Sequence, residues 1–235
     1  MSGEPQVPKI DREEIEEIQR KKIKIENKNS KEEKTLFEKI WFILWKDNSF
    51  KGWIISLIFL LIVIRGIFFP ILSLATGTTI PLVIVESCSM YHSGNLFSDF
   101  DSWWTAHEEK YTEKNITKNE FLNFHFKNGL NKGDILFVTA VKPEDVKFGD
   151  ILIFDSGAGT PIIHRVIKIT NENGIYTFST QGDNNNGQLG VEKSINEDRV
   201  VGKPRANILP YVGWIKLIFF EGGKPESERG LCNEN

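Results

Sequence analysis

A serine hydroxyl becomes a useful nucleophile only when a neighbouring base takes its proton. A serine accompanied by a histidine and a carboxylate is therefore the pattern to follow in a new sequence. Here Ser89 lies in Val85-Glu86-Ser87-Cys88-Ser89-Met90, His164 in Ile162-Ile163-His164-Arg165-Val166, and Asp183 in Gln181-Gly182-Asp183-Asn184-Asn185. Histidine, with an ordinary pKa near 6.5, needs little tuning to act as a base, whereas lysine near 10.4 must be strongly desolvated. Each residue alone has a plainer reading. Ile162 and Val166 share the strand face of His164, as they would around a core histidine, and Asp183 sits in a Gly-Asp-Asn-Asn stretch suited to a turn. Taken in order, the three are the parts of a hydrolytic site. His92, close to Ser89 in sequence, is a second candidate base.

These residues need elements to position them. Ile80 to Val85 reads as a buried strand that delivers Ser89. Further strand signals cover Asp134 to Thr139, Asp150 to Phe154, Ile162 to Ile169, Ile175 to Thr180 and Arg199 to Val201, with polar or Gly- and Pro-containing breaks. Asn173-Gly174 marks a hairpin. Short strands without helical alternation predict a mainly β fold with an antiparallel catalytic domain. Residues 92 to 132 interrupt the pattern with aromatics among charges. They predict a small, mostly helical insertion, with a helix start capped by Thr117 and Glu120. Asn115-Ile116-Thr117 is a glycosylation sequon. The insertion is expected to rest beside the cleft and shape access to it.

Gly52 to about Phe69 is apolar except for Ser56 and Arg65, close to the roughly 20 residues that cross a bilayer. Lysines at 31, 34, 39, 46 and 51 precede this run, and after Arg65 the next basic residue is Lys110. The positive-inside rule then puts the N-terminus in the cytoplasm and the β domain outside. The expected organisation is a charged cytoplasmic tail with an interfacial segment over 1–51, a single-pass anchor over 52–76, an extracytoplasmic β domain over 77–220 and a polar tail over 221–235. Ile208 to Phe220 is apolar but too short to span, and its Trp214 and Phe219-Phe220 suit a membrane interface.

The composition, 40% hydrophobic and 26% charged with a net charge of -3, carries no electrostatic footprint for nucleic acid. The cysteines, Cys88 and Cys232, offer no metal-ligand spacing, and a disulfide between them is not expected.

Ser87-Cys88-Ser89-Met90, Gly149-Asp150-Ile151-Leu152-Ile153-Phe154, Ile163-His164-Arg165-Val166 and Gly182-Asp183-Asn184-Asn185, in this order, resemble the boxes of type I signal peptidases. The likeness is greatest to the archaeal and endoplasmic-reticulum branch, in which histidine replaces lysine. It covers roughly residues 53–91 and 133–217. It implies a signal-peptidase-type β fold behind a transmembrane helix and a membrane-bound serine endopeptidase that removes signal peptides from precursors through an acyl-enzyme. Ser89 would attack the scissile carbonyl, His164 would act as general base and then acid, and Asp183 would orient His164. Ser87 would help the oxyanion site and Met90 would line the cleft. No metal or cofactor is implied; the implied partners are precursor proteins, the lipid bilayer and the export translocon. The chain departs from the family in having Cys88 where a glycine is common, Tyr91-His92 where a proline is usual, and Leu189 where many archaeal members carry a second aspartate. Asp198 is the alternative acidic residue. Two other readings stay open: a specialised processing peptidase of the same family, and a catalytically inactive membrane-tethered β module that binds extended peptides by strand addition.

Overall fold

The computed structural model describes residues 13, 16–22, 35–93, 100–157 and 159–232. The chain divides into two compact units, 1–64 and 65–235.

In the first unit, helix α1 (Leu36–Trp45) opens with a capping box, in which the Thr35 hydroxyl accepts from the Glu38 N–H and Glu38 returns the bond. Helix α2 (Phe50–Val63) is capped by Ser49, and Ser56 of α2 donates to the Leu44 carbonyl at 3.1 Å. Helical backbone continues through a π turn at Ile64–Phe68 into α3 (Phe69–Thr76), which ends on Gly77 in the left-handed region. Pro70 accounts for the π turn: it has no N–H to give to Gly66, so the helix widens there. The run Phe50–Thr76 is 27 residues long, and its most apolar window has a mean hydropathy of 2.7 and is not buried by protein at all. It is long and apolar enough to cross a membrane.

The second unit is built on one seven-stranded antiparallel sheet. Its strands are β1 (Leu82–Ile84), β2 (Ile135–Thr139), β3 (Ile151–Phe154), β4 (Ile162–Glu172), β5 (Ile175–Gln181), β6 (Ile195–Asn196) and β7 (Val200–Leu209), in the spatial order β1-β2-β7-β3-β4-β5-β6. The β4–β5 hairpin turns at Asn173 and Gly174, both at positive φ, as the Asn-Gly pair predicts. Strand β7 is much longer than the expected Arg199 to Val201, and it takes Ile208 and Leu209 from the apolar segment read as a separate piece. Pro204 sits inside this central strand opposite Val138, beside a register shift at Phe137/Val138. A bulge is where a strand tolerates a residue without an N–H.

The recurring Gly-Asp pair before β2 and β3 is one turn used twice. Asp134 accepts from the Asn131 N–H and Asp150 from the Lys147 N–H, each at 2.8 Å. Gly133 and Gly149 adopt positive φ. A Cβ on either would come within 2.3 Å of a ring, Trp214 for the first and Phe124 for the second, so glycine is required twice over.

One core cluster, with Val85, Met90, Leu136, Val138 and Ile153, lies under the Ser89 segment. A second fills the far half of the sheet around Leu152, Phe154, Val166 and Phe178. The insertion has its own core. Helices α4 (Phe100–Thr112) and α5 (Lys118–Phe121) enclose Trp103, Trp104, Tyr111, Ile116 and Phe121. Thr117 and Glu120 form the predicted capping box.

Candidate active site

Strand β1 ends at Ile84, and the chain then turns over β2's entry. Val85 donates to the Asp134 carbonyl and accepts from Gly133. Ser89 follows in a tight turn closed by the Tyr91 N–H on the Cys88 carbonyl at 3.1 Å. The loop after β5 grips this turn. The Asn184 N–H donates to the Ser89 carbonyl at 2.8 Å, and the Asn184 side chain donates to the Cys88 carbonyl at 3.1 Å. Gly182 permits the approach, since a Cβ there would stand 2.6 Å from the Ser89 carbonyl oxygen. The Gly-Asp-Asn box therefore has a mechanical role, to hold the serine turn in place.

Ser89 and His164 line the same cleft, of about 620 Å³, together with Ser87 and Met90. Most of its remaining wall is apolar, from Ile80 to Val85 on one side and Ile162 and Ile163 on the other. Ser89 Oγ is 3.0 Å from Ser87 Oγ, so the two hydroxyls share a hydrogen bond. Met90 is only 1% exposed, and its sulfur accepts from the Asp183 N–H at 3.4 Å. His164 is buried on β4 opposite Leu152. Its Nδ1 is hydrogen-bonded to Glu192 Oε1, which leaves Nε2 as the ring nitrogen for other work.

Glu192 was not singled out in the sequence. It closes a single 3-10 turn, Gly190–Glu192, is fully buried, and also accepts from Thr180 Oγ1 at 3.1 Å and from the Leu189 N–H at 2.7 Å. The only sequence signal for it is an acidic residue a few positions past the Gly-Asp-Asn box, at a different offset from the one family resemblance suggests.

Asp183 is placed otherwise than expected. Its carboxylate does not bond His164; it is engaged by Arg165 Nε at 2.9 Å and Nη2 at 2.6 Å, by His92 Nε2 at 3.0 Å and by Tyr111 OH at 3.0 Å. Arg165 is fully buried as well, and its remaining N–H groups donate to the carbonyls of His125, Phe126 and Gly149. A buried ion pair persists only when its remaining donors and acceptors are satisfied, and here they are. Burial alone would raise the pKa of Asp183, but the Arg165 charge and the converging donors outweigh it and hold the carboxyl far below the usual carboxylate range. Burial lowers the pKa of His92, against the pull of Asp183. The His92 ring stacks on Trp103 with centroids 3.5 Å apart. Lys110, brought down to about 8 chiefly by burial, donates to the Gly182 and Asp183 carbonyls.

This corrects the expectation for the insertion too. None of its described residues lines the cleft; Lys110 and Tyr111 brace the Gly182–Asn185 loop from behind. Asp198 is exposed in the turn before β7 and His92 is sealed behind Asp183, so neither lines the cleft. Cys88 and Cys232 form a disulfide, against expectation. Among the described residues, no three His, Cys, Asp or Glu side chains converge as a metal-ligand set would.

The antiparallel β unit thus has a serine and a histidine lining one largely apolar cleft, and the chain also carries a helix long and apolar enough to cross a membrane. No protein-family model matches the chain. The chain is similar to signal peptidase complex catalytic subunits: that of Homo sapiens is 38% identical over 99 residues, covering 37% of this chain and 49% of the relative. Those of Dictyostelium discoideum and Scheffersomyces stipitis are 29% and 32% identical over 97 residues, each covering 38% of this chain and 53% and 57% of the relative. The chain spans about half the length of the curated relatives it matches. The similarity is thus to part of the catalytic subunits of signal peptidase complexes.

Proposed function

We propose that this protein is a membrane-anchored serine endopeptidase that removes signal peptides from exported and membrane precursors. The observation that carries the reading is that Ser89 and His164 both line one largely apolar cleft of a chain similar to signal peptidase catalytic subunits. Ser89 is the nucleophile. His164 Nε2 takes its proton as the acyl-enzyme forms and returns one to the leaving amine. Glu192, hydrogen-bonded to Nδ1, takes the orienting role first given to Asp183: it fixes the tautomer and supports the imidazolium electrostatically. Ser87 stands where a second donor to the oxyanion is useful. In the resting arrangement Ser89 bonds Ser87, and catalytic hydrogen bonds commonly tighten only once substrate is bound.

The cleft runs along β1, an outer strand of the sheet with one edge unpaired among the described residues. An extended peptide can hydrogen-bond to such an edge, while the apolar walls take small uncharged side chains. The apolar helix Phe50–Thr76 serves as the single-pass anchor, with the N-terminus cytoplasmic and the β unit extracytoplasmic. Ile215, Ile218, Phe219 and Phe220, each more than half exposed, add an apolar surface suited to the bilayer interface.

The test is cleavage of a signal-peptide-bearing precursor by the detergent-solubilised protein and by Ser89→Ala and His164→Ala. Cutting by the wild type that is lost in both variants is the expected result. Unaltered cutting by Ser89→Ala would overturn the assignment.

A further inference from the structure

Residues 221–232 come last in the described chain and are polar, yet they are built into the site. Lys132 is 1% exposed, and besides lying over the Trp214 ring its ammonium donates to this segment, to Glu221 Oε2 at 2.8 Å, the Glu228 carbonyl at 2.6 Å and the Gly230 carbonyl at 3.1 Å. Gly230 N–H returns to the same Glu221 oxygen at 2.8 Å, and Arg229 donates to the Lys224 and Gly222 carbonyls. From this folded strap, Lys224 and Glu228 reach the wall of the cleft, and Lys224 Nζ donates to the Glu86 carbonyl at 2.7 Å. The strap then ends in the Cys88–Cys232 disulfide, across 144 residues of sequence, beside the nucleophile.

We propose that residues 221–232 are a thiol-responsive latch: with the Cys88–Cys232 bond intact the strap completes the cleft and fixes the Ser87–Ser89 turn, and with it reduced the cleft loses that wall and its nucleophile is misplaced. Both cysteines are partly exposed and so open to a reagent. The reductant is a dithiol. One of its thiolates attacks a sulfur of the bond and expels the other cysteine as thiolate, which takes up a proton. The second thiol of the reagent then displaces the mixed disulfide, so that two electrons and two protons reach the protein and the reagent leaves as its own disulfide. The inference rests on the peptidase reading for its effect on turnover, whereas the latching itself is independent of that reading.

The experiment compares the full-length solubilised wild type and Cys232→Ser, each with and without dithiothreitol, by kcat/KM on the precursor and by hydrogen exchange over 86–91 and 221–232. The expected result is faster exchange in both segments and a fall in kcat/KM of about 10- to 100-fold on reduction of the wild type. Cys232→Ser should match this without reductant, and dithiothreitol should change it no further. Two titratable thiols in the untreated wild type, the same exchange in all four samples, or an equal response of Cys232→Ser to dithiothreitol would overturn the proposal. If the oxidised wild type cuts nothing, the peptidase reading fails and the exchange data alone decide the latch.

Discussion

Replacing Asp183 with alanine separates a supporting role from a chemical one. The substitution strands the guanidinium of Arg165, which is fully buried and keeps its carbonyl acceptors and the Phe121 and Phe124 rings, without its counter-charge. It also removes the acceptor of His92 Nε2 and Tyr111 OH. Removing one partner of a buried pair costs about 3–5 kcal/mol, and each buried donor left unpaired adds about 1–3 kcal/mol. The cluster relaxes as a whole, so these terms do not add in full, and about 4 kcal/mol is a conservative figure. For a unit of this size that lowers Tm by roughly 8–16 °C. The assay is thermal and urea denaturation of the detergent-solubilised variant, with cleavage measured well below its Tm. A double variant, Arg165→Met with Asp183→Leu, should recover much of the loss, because apolar pairs often replace buried ion pairs at little cost. A Tm within about 2 °C of wild type with cleavage abolished would refute the reasoning and return Asp183 to the chemistry.

Two further outcomes follow from the same geometry. Glu192→Gln keeps the size of the side chain but removes the charge beside His164; kcat should fall on the order of 10²- to 10⁴-fold with little change in KM, and undiminished kcat would exclude Glu192 from orienting the base. His92 has a folded pKa below its ordinary value. Below about pH 6.5 the unfolded chain therefore binds a proton that the folded chain refuses, and stability falls as pH drops, by up to about 1.4 kcal/mol per pH unit. Asp183, depressed in the fold, adds a loss below about pH 4. Tm measured from pH 7.5 to 5 should decline below about 6.5, less steeply in His92→Gln; a flat wild-type profile would mean that His92 is charged in the fold.

Features written locally in the chain were legible in the sequence. The Asn173-Gly174 hairpin, the Thr117–Glu120 capping box and the long apolar helix rest on residues close together, and the structure shows all three. What depends on distant partners was not. The reach of β7 to Leu209 was hidden because Lys203-Pro204-Arg205 breaks the apolar alternation, and only the bulge opposite β2 explains its pairing. Glu192 lies in a polar turn that reads as ordinary surface until β4 and β5 bring His164 and Thr180 onto it. Cys88 and Cys232 give no sign of pairing, since only the folded strap brings them together. The Gly-Asp-Asn box was recognisable as a box, but whether its aspartate faced the histidine or the neighbouring arginine was beyond a linear pattern.

The bracing of the Gly182–Asn185 loop by Lys110 and Tyr111 bears on how the site opens. Arg165 and Asp183 draw their partners from β4, from the loop after β5, from the segment just past Ser89, and from the insertion. Such a junction opens as one cooperative unit: unfolding of the insertion uncovers the charge pair and releases the loop that grips the serine turn. In this chain the insertion is therefore tied to the serine turn through Asp183, and deleting it alone is expected to destabilise the site.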